Sequence, residues 1–501
     1  MATYEKTIGF YTTDFPRTLF PLDTNRVLIE TSAAELGDYV YGRITHNKDS
    51  AHSFLPQIRV YAAKPHYHLR RTAKLDPVAE FFLYDLIYRH RSAFPKGSPK
   101  ARTNFLYGFH AGEAISPMQN FRSFKEQVKG TLTKYKYCAK FDISSYFNSI
   151  YHHDLVNWFN NIAKTEEDAA LFDKFLKQIN SGRSIDCLPH GLYPAKMIGS
   201  HFLSFIENAS WLSSQQTLRF MDDFYLFSDQ LNDVLADFLK IQRMLGDKGL
   251  SINPSKTKIG KIEDLDVERQ VDTVRNQLFE RRIFVVTGSG GDSEPHENED
   301  EALDDEEVEY LMDLLRNPEI EEEDAELVLT LLRDYGEDVM SYLPMFLARF
   351  PNLSKNIYHF CGHIDDKAEL LTVIRDFVRS NEEITEFQLF WLAKSFETYL
   401  LGASGAGDVL SALYEHRNAT DISKSKILEI PDRRFGLGDL REEHLRTGAS
   451  GWLSWSSAVG ARVERKKNRN HLLGYFANGS AVNDLISRCV QKMPSQVAPS
   501  K

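Results

Sequence analysis

Apolar and polar positions along this chain change period twice. Residues 135–143, YKYCAKFDI, alternate in character as a strand does. In Leu218-Arg219-Phe220-Met221-Asp222-Asp223-Phe224-Tyr225-Leu226-Phe227 two apolar runs flank an acidic pair, which predicts a β-hairpin with both carboxylates at its tip. Asp76-Pro77 gives an N-cap and first-turn signal for a helix with Ala79, Phe82, Leu83, Leu86 and Ile87 on its core face. RTNFLYGFH reads as a strand, HHDLVNWFNNIAKTEEDAALFDKFLKQIN as two helices, and DQLNDVLADFLKIQRMLGDKG as an amphipathic helix closed by Gly249. From about residue 262 the pattern turns helical, with a connecting helix and then the Gly-, Ser- and acid-rich GSGGDSEPHENEDEALDDEE, a linker by composition. Beyond it come short amphipathic segments such as KAELLTVIRDFVRS and TEFQLFWLAKSFETYLL, as in a stack of paired helices. The expected organisation is therefore an α+β unit over residues 1–262, a connecting helix and linker over 263–300, and an all-α, HEAT-like domain over 301–501.

Composition narrows the function. The 501 residues carry a net charge of −11, which argues against a protein that coats nucleic acid non-specifically but not against an enzyme with a local basic channel. The four cysteines are far apart and form no CxxC pair, as expected of a reduced, cytoplasmic protein. No leader and no membrane span are visible.

The chemistry sits where the strands end. Asp142 closes one strand and Asp222 and Asp223 interrupt the hairpin, so carboxylates from two strands can supply the hard oxygen ligands of divalent cations. These runs resemble reverse transcriptases: FDISSYFNSI is similar to their motif A, FMDDF to motif C, and GLSINPSKT to motif D, over roughly residues 65–260. The resemblance implies a fingers-and-palm fold. It implies two Mg²⁺ ions, with Mn²⁺ as an alternative, held by Asp142, the backbone carbonyl of Ile143, Asp222 and Asp223. Lys256 would neutralise the leaving pyrophosphate. Arg70 and Arg71 would bind the triphosphate. Phe147, five residues after Asp142, would exclude a 2′-hydroxyl and so select dNTPs. Gly191 would let the backbone approach the template or nucleotide. Motif B departs from the family pattern, with His190 in place of Gln and Ala195 in place of Ser, which sets ordinary template reading in doubt.

An acidic linker and helices follow where a conventional thumb is expected. That order resembles the abortive-infection (Abi) reverse transcriptases of bacteria, the AbiK group. The resemblance implies template-independent, protein-primed DNA synthesis in defence against phage. It also implies a homo-oligomer and a single-stranded DNA product that can stay covalently attached. Tyr4 and Tyr11 are priming candidates if the N-terminal segment is mobile. A templated RNA-directed DNA polymerase with a partner RNA, and a catalytically inactive helical scaffold, are the competing readings. The local run Arg462, Arg465, Lys466, Lys467 and Arg469 could face a phosphate backbone or simply solvent.

Overall fold

The computed structural model describes residues 4–46, 52–97, 101–186, 188–265, 278 and 303–494. Nearly all of the predicted connecting helix and linker lies outside the described residues; the end of the acid-rich stretch, from Asp305, opens a helix instead. Helices α1 (Glu5–Asp14) and α2 (Asp23–Gly37) come first, then the antiparallel hairpin β1 (Ile58–Ala63) and β2 (Leu69–Lys74), and then α3 (Pro77–Arg89). As the sequence predicts, the Asp76 carboxylate caps α3, accepting from Val78 N at 2.9 Å and Ala79 N at 3.2 Å. This helix is buried on nearly every side, and its two acids are matched inside the core. Glu80 meets Lys74 at 2.8 Å, and Asp85 accepts from Thr7 and Tyr41 at 2.9 and 2.6 Å. Buried charge persists only when paired in this way.

A five-stranded sheet follows. Its strands are β3 (Arg102–Asn104), β6 (Tyr137–Phe141), β7 (Gln216–Phe220), β8 (Asp223–Ser228) and β9 (Lys258–Lys261), in the order β3-β7-β8-β6-β9. The short pair β4 (Phe109–His110) and β5 (Glu113–Ala114) forms a separate hairpin. Helices α4 (Pro117–Leu132) and α9 (Leu231–Gly246) pack on the sheet. Between β6 and β7 run α5 (Tyr146–Ser149), α6 (His152–Ile162), α7 (Glu166–Ile179) and α8 (Tyr193–Phe202).

The C-terminal helices form two rows. One holds α14 (Ser354–Phe360), α16 (Glu386–Ser395), α18 (Asp421–Leu428), α20 (Trp452–Gly460) and α22 (Ala481–Lys492), each packed on the next. Across from it lie α13 (Leu343–Arg349), α15 (Lys367–Ser380) and α17 (Ala406–Glu415), then α19 (Leu437–Arg446) and α21 (Lys466–Ala477). The stack is completed by α10 (Asp305–Arg316), α11 (Glu322–Leu331) and α12 (Gly336–Met340) at its start. The first row faces the rest of the protein: α16 packs on β1, and α20 and α22 pack on α2. One hydrophobic core accordingly runs from Phe10 through the sheet and on to Trp455 and Val490, and a second occupies the helices from Leu311 to Leu437.

Two expectations change here. The N-terminal segment is not free: Tyr11 is fully buried and donates to Glu80 at 3.1 Å, and the Tyr4 ring meets Phe81 edge-on at 5.3 Å. Neither residue is part of the lining of the cleft described below. The basic run near the C-terminus is also divided. Arg462 and Arg469 are buried and bind backbone carbonyls, of Glu429 and Val459 and of Gln491 and Met493, respectively. Only Arg465, Lys466 and Lys467 remain exposed. Carbonyls near helix ends need donors, and a guanidinium supplies several at once.

Candidate active site

The β7–β8 turn is Met221-Asp222, with Phe220 paired to Asp223, so the acidic pair is split between the turn and the first position of β8 rather than forming its tip. Met221 takes the left-handed conformation, φ 55°, that the first position of such a two-residue turn demands and that costs a side-chain-bearing residue energy. Arg219 holds it there. Its fully buried guanidinium donates to the Met221 carbonyl at 2.7 Å and the Ser200 carbonyl at 3.1 Å, and pairs with Glu207. This residue escapes notice in the sequence; the signal was an arginine inside an apolar strand.

Asp142 follows the last residue of β6, and its neighbour Phe141 stacks on Phe224 of β8 with centroids 5.1 Å apart and planes 5° from parallel. That stack brings the end of β6 level with the β7–β8 turn. Asn253 N donates to the Asp142 carbonyl at 2.9 Å and Ser144 N to the Ser251 carbonyl at 2.8 Å. The two bonds flank the bridge between Ile143 and Ile252 and do not use the carbonyl of Ile143.

Asp142, Asp222 and Asp223 open on one cleft of about 960 Å³. Burial, then the neighbouring Asp223 and Asp142, push the Asp222 carboxyl up to about 7; burial and Asp142 also raise Asp223, against the pull of Lys256, Lys140 and Lys125. Asp142 Oδ2 pairs with the exposed Lys256 ammonium at 2.9 Å, and this hydrogen bond raises the lysine. Asp142 Oδ1 is buried with no hydrogen-bond partner. Among the described residues no group of three or more His, Cys, Asp or Glu side chains is arranged to hold a metal ion as it stands. The donor types still suit a hard divalent cation: neighbouring carboxylate charge raises Asp222 and Asp223, Asp142 has an orphaned buried oxygen, and a lysine stands where positive charge is required.

The other expected residues divide. Arg70 and Arg71 both line the cleft, on opposite faces of β2. Burial lowers Arg70, and the charge of Asp222 acts on it. Arg71 is tied to Asp186, 3.3 Å from Oδ2. Phe147 lines the cleft, nearly buried, with its ring edge-on to His190 at 4.7 Å. A Cβ on Gly199 would lie 3.2 Å from that ring, so α8 backs it closely. Gly191 is not part of the lining. It is buried at φ +105°, where a Cβ would come within 3.0 Å of Leu19, so its glycine is required by conformation and packing. His190 is held by the fingers strand, Thr72 Oγ1 donating to its carbonyl at 2.6 Å. Burial, then Arg70, Lys196 and Lys64, keep its imidazole neutral, well below the usual histidine range.

Two lysines of the cleft wall carried no sequence signal. Lys64 feels Arg70, Lys256, Asp222 and Asp142. Lys196 is buried 5.6 Å from the Tyr107 ring centroid; burial lowers it to about 7 against the pull of Asp14, and Lys355, Arg70 and Arg17 add to the fall. Apart from the Lys256–Asp142 pair, the cleft carries its three carboxylates at the ends of β6, β7 and β8 and further cations, Arg70, Lys64 and Lys196, on the β1–β2 hairpin and α8.

Residues 97–311 match the family model of reverse transcriptase (RNA-dependent DNA polymerase), so the chain carries a reverse transcriptase domain. No curated protein matches the sequence. Solved structures similar to it include apo telomerase from Candida tropicalis, at 9% identity over 80% of this chain and 71% of that one, with a TM-score of 0.29. Telomerase from the same organism with a fragment of telomeric RNA gives 10% identity over 72% and 64%, at 0.30. The Candida albicans enzyme with such a fragment gives 12% over 77% and 70%, at 0.28. Among the described residues no helix is long and apolar enough to cross a membrane.

Proposed function

We propose that this reverse transcriptase domain polymerises dNTPs without a template, primes on the protein itself, and serves in abortive-infection defence in the bacterial cytoplasm as a homo-oligomer. The observation that carries the chemical part is the convergence of Asp142, Asp222 and Asp223 on one cleft whose wall also holds Arg70, Lys64 and Lys196. The defence role rests on motif order, the altered motif B at His190 and Ala195, and the helical C-terminal half.

Asp142, Asp222, Asp223 and the Ile143 carbonyl would hold two Mg²⁺ or Mn²⁺ ions. When bound, such ions supply the charge that binds a triphosphate and lowers the pKa of the attacking hydroxyl. Arg70, with Lys64 and Lys196 behind it, receives phosphate oxygens. Phe147, backed by α8 and His190, sets the floor beneath the sugar. The hydroxyl gives up its proton to solvent, its oxygen attacks the α-phosphorus to form a P–O bond, and the α–β P–O bond breaks to release pyrophosphate. Lys256 is exposed and held only by Asp142, so it can swing to the leaving group and neutralise it. For the first nucleotide the hydroxyl is a tyrosine's. Tyr61 and Tyr151 both line the cleft and are exposed, unlike Tyr4 and Tyr11.

The test is the full-length protein with labelled dNTPs, Mg²⁺ and no template. Label that survives denaturation on the protein and is released by protease is the expected result. Incorporation only with added RNA returns the templated reading to first place, and none under either condition leaves the scaffold.

A further inference from the structure

Among the described residues nine large apolar or aromatic side chains are more than a third exposed, and four of them line this one cleft: Tyr61 at 42%, Leu69 at 55%, Tyr151 at 43% and Ile185 at 43%. Single exposed apolar residues are ordinary on a surface; a contiguous set rimming a charged cleft is not.

Printed contacts join them into a track. Tyr61 pairs with Arg71 across the β1–β2 hairpin, and Ala63 with Leu69, so Tyr61, Arg71 and Leu69 share a face. Arg71 reaches Asp186, which also holds Arg59 at 3.2 Å and Asn148 at 2.6 Å. Ile185 precedes Asp186. The Ser184 carbonyl accepts from His152 N at 2.7 Å, which sets Tyr151 beside Ile185. Tyr151 in turn lies on the backbone of Gly249, where a Cβ would fall 2.1 Å from its ring. At the other end Tyr61 N donates to Glu386 of α16 at 3.0 Å, fixing the fingers strand to the helical stack. The rings are thus exposed but seated.

We infer that this rim is a binding platform for the unpaired bases of single-stranded DNA leaving the site. The inference rests on the nucleotidyl-transfer reading only for the strand's origin. Tyr61 and Tyr151 offer two seated rings, Leu69 and Ile185 add apolar surface, and Arg71 stands beside Tyr61; an unpaired strand requires stacking for the bases and positive charge for the phosphates. Arg71 lines the same cleft, opposite Tyr61 on the hairpin, and supplies the charge.

The test is fluorescence anisotropy on the full-length protein without dNTPs, using short oligothymidine, the same strand with abasic sites, oligouridine, and a blunt duplex. Oligothymidine is expected to bind about tenfold or more tighter than the abasic strand. Tyr151→Ala and Ile185→Ser should each remove most of that advantage while leaving abasic binding unchanged, and Tyr151→Phe should keep it. Melting curves identify any variant that does not fold, and the other then carries the test. Equal binding of the thymidine and abasic strands, unchanged affinity in both variants, or preference for duplex or oligouridine overturns the proposal. The incorporation assay separates the two readings: base-dependent binding without incorporation removes only the polymerase, and incorporation without base-dependent binding removes only the platform.

Discussion

The protein buries two groups of opposed charges, and it treats them differently. Between α2 and α18, Lys426 is fully buried within 3.1 Å of Asp23, 2.6 Å of Glu397 and 2.7 Å of Glu429. Glu429 also accepts from Asp23 N, Thr24 N and Thr24 Oγ1 at 2.8, 2.7 and 2.8 Å, which satisfies the start of α2. Burial pushes Lys426 down, but the three carboxylates outweigh it and hold it well above its usual range. Burial likewise raises Asp23, and Lys426, Lys394 and Arg26 outweigh that and hold it far below the carboxylate range. In the cleft the compensation is incomplete, although Asp142 Oδ2 keeps one ion pair, to Lys256 at 2.9 Å. Asp222 is raised to about 7, Lys196 is lowered to about 7, and Asp142 Oδ1 has no partner. Mixed charge cements two parts of a fold; incompletely compensated charge is stabilised only by something added.

The comparison breaks most visibly at the carboxylates. Asp142→Asn and Asp222→Asn should each lower dNTP incorporation by on the order of a thousandfold or more. Neither should lower the melting temperature, because each removes a like charge from its neighbours. Loss of activity accompanied by unfolding would place these residues with the structural cluster instead. Lys426→Met gives the reverse pattern: three carboxylates lose their common partner, and stability should fall by about 3–5 kcal/mol in chemical denaturation. Activity per folded molecule should be unaltered.

A smaller effect is expected at Phe147. Phe147→Ala should move the ratio of dNTP to NTP incorporation toward parity, measured under matched single-nucleotide conditions. Because the ring packs on His190 and α8, the variant also opens a cavity, and a fall in melting temperature with no change in ratio would mean that the ring serves packing alone.

The palm was legible because its signals are local. A strand that ends in Asp142, an acidic pair between two apolar runs, and Asp76-Pro77 before α3 are each a short pattern with one physical reading. The hairpin was right in kind and displaced by one residue, since pairing Phe220 with Asp223 leaves Met221 in the turn. Local pattern does not say what a residue packs on. Gly191 looked like a ligand contact and is a seat for Leu19. Tyr4 and Tyr11 sat in a stretch without motifs and are fixed by Phe81 and Glu80. Lys196, Arg219 and the Lys426 cluster depend on partners 12 to more than 400 residues away, as Arg219 with Glu207 and Lys426 with Asp23 show. No periodicity encodes such pairs.

The subtlest test concerns Lys196, the cleft's counterpart to Lys426. Its folded value near 7 lies below the usual lysine value of 10.5. Between those two pH values the unfolded chain binds a proton that the folded protein does not, so stability rises as pH rises across the window. Below pH 7 both states are protonated, the slope from this group vanishes, and its full penalty is present. Lys196→Met should therefore flatten the rise between pH 7 and 10.5 and stabilise the protein most at the acid end. The gain there should be on the order of 1 kcal/mol, allowing for the high effective dielectric of real protein sites. Asp14 keeps its bond from Tyr193 N at 2.8 Å in the variant, so its carboxylate is not stranded. Chemical denaturation of wild type and variant at pH 7 and pH 10 measures the difference of slopes. A variant less stable at pH 7 and unchanged in slope would show that Lys196 is cemented as Lys426 is.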